Sequence, residues 1–206
     1  MSPYPMVHLV DDEAGLRRAL TRLLSANGLT VRAHASAEEF LAAYNATEPA
    51  CLILDVAMPG IDGLELQRRL TRDGTLLPIV FLTGHGDIPM SVEAIKAGAV
   101  DFLTKPLDEA ALLGAVRSAL KLAGEQAFRR REMAALRARL QQLTPREREV
   151  LEHVVTGRLN KQIAADLGTG EQTIKVHRGR VMEKMGVESL AELVRVAERL
   201  GVKPAR

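Results

Sequence analysis

Between residues 6 and 104 the chain alternates short apolar runs with apolar residues spaced three and four apart. The runs predict strands at Met6–Val10, Thr30–His34, Leu52–Asp55, Ile79–Thr83 and Asp101–Thr104. The spaced patterns predict helices at Ala14–Ala26, with Gly28 near its C-cap, from the capping box Ser36-Ala37-Glu38-Glu39 through Tyr44, at Asp62–Thr71 and at Pro89–Ala97. The strands at 52–54 and 79–82 are apolar on both faces, as parallel strands covered by helices on each side must be. Five strands alternating with helices predict an α/β fold, a doubly wound five-stranded parallel sheet.

From Asp108 the helical pattern shows no stop before about residue 142. Apolar positions 113, 116, 120, 123 and 127 are followed, after a phase break at Arg129-Arg130-Arg131, by Met133, Leu136, Leu140 and Leu143. Two readings stay open for this long helix, a weak coiled-coil seam and a solvated linker without partner. The rest is all helical. Thr144-Pro145-Arg146-Glu147 joins a capping box to Pro at the first helical position, and further helices fit Asn160–Leu167, Glu171–Met185 and Ser189–Leu200. Gly157, Gly168, Gly170 and Gly186 separate them. Short helices with a tight glycine turn between the second and third predict a helix-turn-helix. The chain therefore divides into an α/β domain at 1–120, a helical linker at 121–142 and a small all-α domain at 143–206.

Charge sharpens that division. The net formal charge of +2 hides −5 over residues 1–120 and +7 over 121–206, which makes the second half the candidate for nucleic acid. The apolar fraction of 47% is ordinary for a globular protein, and with aromatics at 3% the core must be built from Leu, Val, Ile and Ala. The first residues show no basic region followed by an apolar stretch, so no signal peptide is expected. No apolar run approaches the roughly 18 residues of a membrane span, so a cytoplasmic protein without membrane contact is expected. Cys51, the single cysteine, sits in an apolar run and is expected to be a buried, unreactive thiol.

In an open parallel sheet, ligands bind beyond the C-terminal ends of the strands. There the first strand runs into Asp11-Asp12, the third ends in Asp55, the fourth in Thr83, and Lys105 follows the fifth. Carboxylates brought together from separate strands repel unless a cation joins them, and Mg²⁺ (or Mn²⁺) takes oxygen ligands. A lysine opposite them can hold a phosphoryl oxygen as a point charge, and a threonine can donate to another.

Residues 6–120 resemble a response-regulator receiver domain, which has a flavodoxin-like fold. The matching motifs are Leu9-Val10-Asp11-Asp12-Glu13, Leu54-Asp55-Val56-Ala57-Met58-Pro59-Gly60, Thr83-Gly84-His85-Gly86-Asp87 and Lys105-Pro106, and the stretch from Thr83 through Ala99-Val100-Asp101-Phe102 is similar to the FixJ-like branch. The resemblance implies that Asp55 accepts phosphate from a sensor histidine kinase. It implies that Asp12, Asp55 and the backbone carbonyl of Ala57 hold the metal, with Asp11 acting largely through water. Thr83 and Phe102 would form the switch pair, Lys105 would partner the phosphate, and the Lys105-Pro106 bond would be cis. The receiver would promote only its own phosphorylation and dephosphorylation.

Residues 144–200 resemble the LuxR/NarL-type helix-turn-helix through Leu143-Thr144-Pro145-Arg146-Glu147-Arg148-Glu149-Val150-Leu151, Asn160-Lys161-Gln162-Ile163-Ala164 and Thr173-Ile174-Lys175-Val176-His177-Arg178. On a helical wheel Thr173, Lys175, Val176, Gly179 and Arg180 share an outward face. Lys can donate to guanine and Val can pack on a thymine methyl, so Lys175 and Val176 are assigned to bases. Lys161, Thr173, Arg178, Arg180 and Lys184 are phosphate candidates, while His177 either touches DNA or packs inside. Gly179 stands where relatives often carry a side chain that reaches bases. The expected function is a transcriptional regulator switched by phosphorylation, with promoter DNA and RNA polymerase as partners. Phosphorylation is expected to act either by pairing two chains through a face carrying Val92, Ile95 and Lys96, or by unmasking the head. Three rival readings are an aspartyl-phosphate hydrolase, a sigma-factor-like module and a LuxR-type sensor of a diffusible signal. The first usually carries a second acid where Ala57 stands, the second lacks a receiver, and the third needs an apolar cavity in place of the acidic pocket.

Overall fold

The computed structural model describes residues 5–84 and 88–205, so that His85, Gly86 and Asp87 of the fourth-strand motif lie outside the described residues. Strands β1 (Met6–Val10), β2 (Thr30–His34), β3 (Ala50–Asp55), β4 (Ile79–Thr83) and β5 (Asp101–Thr104) form one parallel sheet in the order β2-β1-β3-β4-β5. The strand β3 starts two residues before its expected limit, because Ala50 and Cys51 pair in register with Met6 and Val7 of β1. Pairing with β1 carries β3 back through Cys51, already in the apolar run, to Ala50.

Helices α1 (Ala14–Ala26), α2 (Ala37–Ala43), α3 (Gly63–Arg72) and α4 (Ile88–Lys96) connect the strands, and α5 (Glu109–Gln141) follows them. One face of the sheet buries Val10, Leu52, Leu54 and Phe81 with Phe40 of α2, Leu66 and Leu70 of α3 and Ala94 of α4. The other buries Val7, Leu9, Ile53, Val80 and Leu82 with Leu20 and Leu24 of α1 and Leu112 and Val116 of α5. Each central strand thus gives alternate side chains to two cores, which is why its sequence is apolar throughout. Ser36 caps α2 by accepting the Glu39 amide, but Glu39 reaches back to the amide of Ala35 instead of closing a box on Ser36. Two buried histidines went unnoticed in sequence. His8 and His34, two residues out of register on neighbouring strands, share a 3.0 Å hydrogen bond, and burial pushes the His8 pKa down to about 4.

Contacts divide the chain into two compact units, 1–128 and 129–206, so the division falls inside α5. The second unit adds α6 (Pro145–Val154), α7 (Asn160–Asp166), α8 (Glu171–Met185) and α9 (Leu190–Arg199) around a core of Val150, Leu151, Ile163, Ile174, Val181, Met185 and Leu193. Thr144 and Glu147 make a complete capping box at the start of α6, and Gly186, in the left-handed conformation, ends α8. No helix among the described residues is long and apolar enough to cross a membrane.

Candidate functional site

The C-terminal ends of β1, β3 and β4 are adjacent, and each delivers a polar side chain to one edge of the sheet. Asp11, Asp55 and Thr83 are buried there, and Asp12 is exposed at the rim. Lys105 enters from the β5–α5 connection, where its amide donates to the Thr83 carbonyl at 2.7 Å and its bond to Pro106 is cis. The Lys105 Nζ donates to Asp11 Oδ2 and to Asp55 Oδ2, both at 3.0 Å. The other Asp11 oxygen accepts the Glu13 amide at 2.8 Å, and Arg17 donates to the Asp11 carbonyl at 2.6 Å. Glu13 and Arg17 were not singled out from sequence, because their roles run through the backbone of the β1–α1 turn.

Burial disfavours the charged form of Asp55 and raises its pKa above the ordinary value; Lys105 and the Ala57 amide pull the other way, and the Asp11 charge adds to the rise. Burial also works against the Lys105 ammonium, but its bonds to Asp11 and Asp55 outweigh that cost and hold its pKa above the usual one. One oxygen from each of Asp11, Asp12 and Asp55 lies within 4.8 Å of the others. Three carboxylates with a single lysine leave anionic charge over, and such an all-oxygen donor set suits a hard divalent cation. Ala57, two residues past Asp55, is exposed at the same edge.

A further requirement was invisible in sequence. The Gly63 amide donates to the Val56 carbonyl at 3.0 Å, and a Cβ on Gly63 would stand 2.3 Å from the Asp55 carbonyl oxygen. Only glycine lets the start of α3 sit so close to the end of β3. Phe102 is half-buried on β5 with its ring 6.0 Å from that of Phe81, two residues before Thr83 on the adjacent strand. Val92, Ile95 and Lys96 of α4 are all exposed.

In the second unit α7, the turn through Gly168 and Gly170, and α8 form the expected helix-turn-helix. Ile174, Val181 and Met185 bury one side of α8, while Thr173, Lys175, Val176, Gly179 and Arg180 are exposed, as is Lys161 on α7. Gln172, which the sequence reading passed over, is exposed four residues before Val176, and the same wheel would have found it. Arg178 is half-buried and donates to Asn160 Oδ1 at 3.2 Å. His177 is half-buried, and its Nδ1 is buried without a hydrogen bond, which favours packing over display.

Lys184 corrects the phosphate assignment. Its Nζ donates to Glu147 Oε2 at 2.6 Å and to the Gln142 carbonyl at 3.2 Å, and Glu147 is 2% exposed. An ammonium committed to a buried carboxylate ties α8 to the start of α6 and is not a cation on display. Wheel position alone cannot reveal a partner 37 residues away.

Comparison with known proteins follows the same division. The sequence profile of the response regulator receiver domain matches residues 7–117, and that of the bacterial regulatory proteins of the luxR family matches residues 141–197. The chain is 48% identical over 195 residues to the response regulator protein TodT of Pseudomonas putida, covering 95% of this chain and 86% of that protein. It is 46% identical over 199 residues to the transcriptional regulatory protein FixJ of Azorhizobium caulinodans, covering 97% and 94%. Among solved structures, the response regulator StyR aligns with a TM-score of 0.87 at 44% identity over 95% of this chain and 99% of that one. Full-length FixJ from B. japonicum aligns with a TM-score of 0.57 at 40% identity over 96% and 97%.

Proposed function

The chain belongs to the response regulators that join a receiver domain to a LuxR-type DNA-binding domain, and from that premise we propose that Asp55 is its phosphoacceptor. As a two-component transcriptional regulator it implies a kinase partner and promoter DNA. The observation that carries the residue assignment is the Lys105 ammonium held 3.0 Å from both Asp11 and Asp55 at the strand ends.

The chemistry follows from that arrangement. A carboxylate oxygen of Asp55 attacks the phosphorus of a sensor kinase's phosphohistidine; a P–O bond forms, the P–N bond breaks, and the imidazole leaves with the bonding pair. Burial keeps bulk water from the carboxylate, and Lys105 meets the incoming negative charge. Asp11, Asp12, Asp55 and the Ala57 carbonyl would hold Mg²⁺ (or Mn²⁺), which supplies further neutralisation of that charge when bound. Water later hydrolyses the acyl phosphate, so the domain turns over only its own modification. Thr83 donates to the phosphoryl group, and Phe102 responds by moving inward. Val92, Ile95 and Lys96 then meet their mates in a two-fold dimer; the exposure of Val92 (44%) and Ile95 (46%) supports a contact there. In the head Lys175 and Val176 read bases, while Lys161, Thr173, Arg178 and Arg180 meet phosphates. The regulator acts in the cytoplasm, at promoters served by RNA polymerase.

The test is phosphate incorporation from acetyl phosphate or a phosphorylated kinase, with and without Mg²⁺. Wild-type protein should be labelled stoichiometrically and Asp55→Asn not at all, and a dimer should appear in sedimentation only for the former. Stoichiometric labelling of Asp55→Asn overturns the assignment.

A further inference from the structure

Two neighbouring glutamates lie in the first turn of α2, and they serve different ends. Glu39 accepts the Ala35 amide at 2.6 Å and so works for its own helix. Glu38, equally exposed, meets the loop that joins β3 to α3. Its carboxylate accepts hydrogen bonds from its own amide, from the Ser36 hydroxyl and from the Ile61 amide, and Arg69 of α3 adds attraction. These donors hold its pKa below the ordinary carboxylate value. A surface carboxylate with three donors is tied in place, where an exposed glutamate would ordinarily swing in water.

The loop it meets is the one that follows Asp55. Backbone bonds fix the two ends: the Val56 amide donates to the Leu82 carbonyl at 2.9 Å, and the Gly63 amide to the Val56 carbonyl at 3.0 Å. Between them Met58 sinks into the core, while Ala57, Pro59 and Gly60 stay exposed. Gly60 turns the chain with a φ of +78°, and a Cβ there would stand 3.1 Å from Glu38 Oε1. The missing side chain lets the carboxylate close on the exposed half of the loop. That half carries the Ala57 carbonyl, and groups that orient a metal's ligands from behind contribute strongly to its affinity.

We propose that Glu38 is a positioning residue for the metal: from α2 it pins the turn at Gly60 and Ile61 and so fixes the direction of the Ala57 carbonyl. The inference rests on the reading that this carbonyl and the three aspartates hold Mg²⁺. It makes the affinity for the ion depend on a helix that carries none of its ligands.

The experiment uses the unphosphorylated full-length chain. Mg²⁺ affinity is measured by calorimetry, and hydrogen exchange of the 56–62 amides is followed without metal, for Glu38→Ala, Glu38→Gln, Glu39→Ala and Asp12→Ala. Glu38→Ala should bind Mg²⁺ about tenfold more weakly, and its Ile61 amide should exchange faster than in wild type even with no ion present. Glu38→Gln keeps an oxygen that can accept the Ile61 amide, so it should bind within about twofold of wild type. Glu39→Ala disturbs the same turn of α2 but not the loop; it should melt lower and bind Mg²⁺ normally. Normal affinity in Glu38→Ala overturns the proposal. So does Glu38→Gln as weak as Glu38→Ala, which would make charge the cause, or Glu39→Ala as weak, which would make it the stability of α2. If Asp12→Ala leaves Mg²⁺ affinity unchanged, the metal-site reading fails first and takes this inference with it.

Discussion

In the receiver, charge converges: Asp11 and Asp55 are almost wholly buried, and one lysine reaches both. In the head it diverges: Lys161, Lys175 and Arg180 stand in solvent, while the buried Glu147 is neutralised by Lys184 and plays no part in display. Buried charges interact strongly because little water screens them, and exposed charges separated by more than about 8 Å hardly interact at physiological salt. A converged cluster responds to the arrival of a single charged group. A dispersed set is indifferent to any one neighbour and responds to an extended array such as a row of phosphates. Salt should therefore separate the two halves, weakening DNA binding steeply and phosphorylation of Asp55 little.

The sharpest way to break the contrast is at Gly63. Gly63→Ala drives a methyl group into the Asp55 carbonyl, and the packing strain should cost the receiver about 1–3 kcal/mol. Phosphate incorporation should fall at least about tenfold, because the displaced loop carries the acceptor. Unchanged labelling kinetics would mean that the end of β3 can yield without moving Asp55. Hydrogen exchange of the α6–α9 amides should be unaffected.

Next in size is the buried pair of the head. Lys184→Met leaves Glu147 without its ammonium and should destabilise the head by about 1–3 kcal/mol. Glu147 has its pKa held below the ordinary 4.5 chiefly by the hydrogen bond from Lys184, so its contribution is whole above that value and fades as the pH falls through the lower folded one. The variant should lose that acid-dependent part, read as faster exchange of α6 and α8 amides at neutral pH and a flatter profile towards acid. Asp55 should be phosphorylated at the wild-type rate. An equal exchange rate in the two proteins at pH 7 would show that the pair contributes nothing.

The smallest effect belongs to a single displayed cation. Lys161→Ala should reduce the slope of log affinity against log salt by about one unit, on random and selected duplexes alike. Lys175→Ala should instead weaken the selected duplex more than random DNA. If the two variants behave the same way, the division between base and phosphate contacts is wrong.

Much of this was legible in sequence, for reasons that differ by element. The central strands announced themselves because both faces are buried, and α8 because one face is. The pocket was legible because strand ends bring sequence-distant residues to one edge in a fixed order, so Asp11, Asp55, Thr83 and Lys105 could be placed before any distance was known. What stayed hidden depended on contact across the chain. Gly63 matters through a backbone two turns of sequence away, Lys184 through a carboxylate on another helix, and His8 through a ring on the neighbouring strand.

The end of α5 has a consequence for exchanging parts between regulators. Arg139 donates to the Met185 carbonyl at 3.1 Å and so caps the last turn of α8, which Gly186 opens for it. Glu132 grips Arg199 of α9 through two hydrogen bonds, at 2.9 and 2.7 Å, and the Gln142 carbonyl accepts from Lys184. A head severed at residue 143 and grafted to a foreign receiver would lose all three supports, leaving the carboxyl end of its reading helix to Gly186 and to the Lys184–Glu147 bond alone. The transferable module begins before Glu132, partway along a helix, where no loop marks the seam and the only sign is the break in apolar spacing at Arg129-Arg130-Arg131.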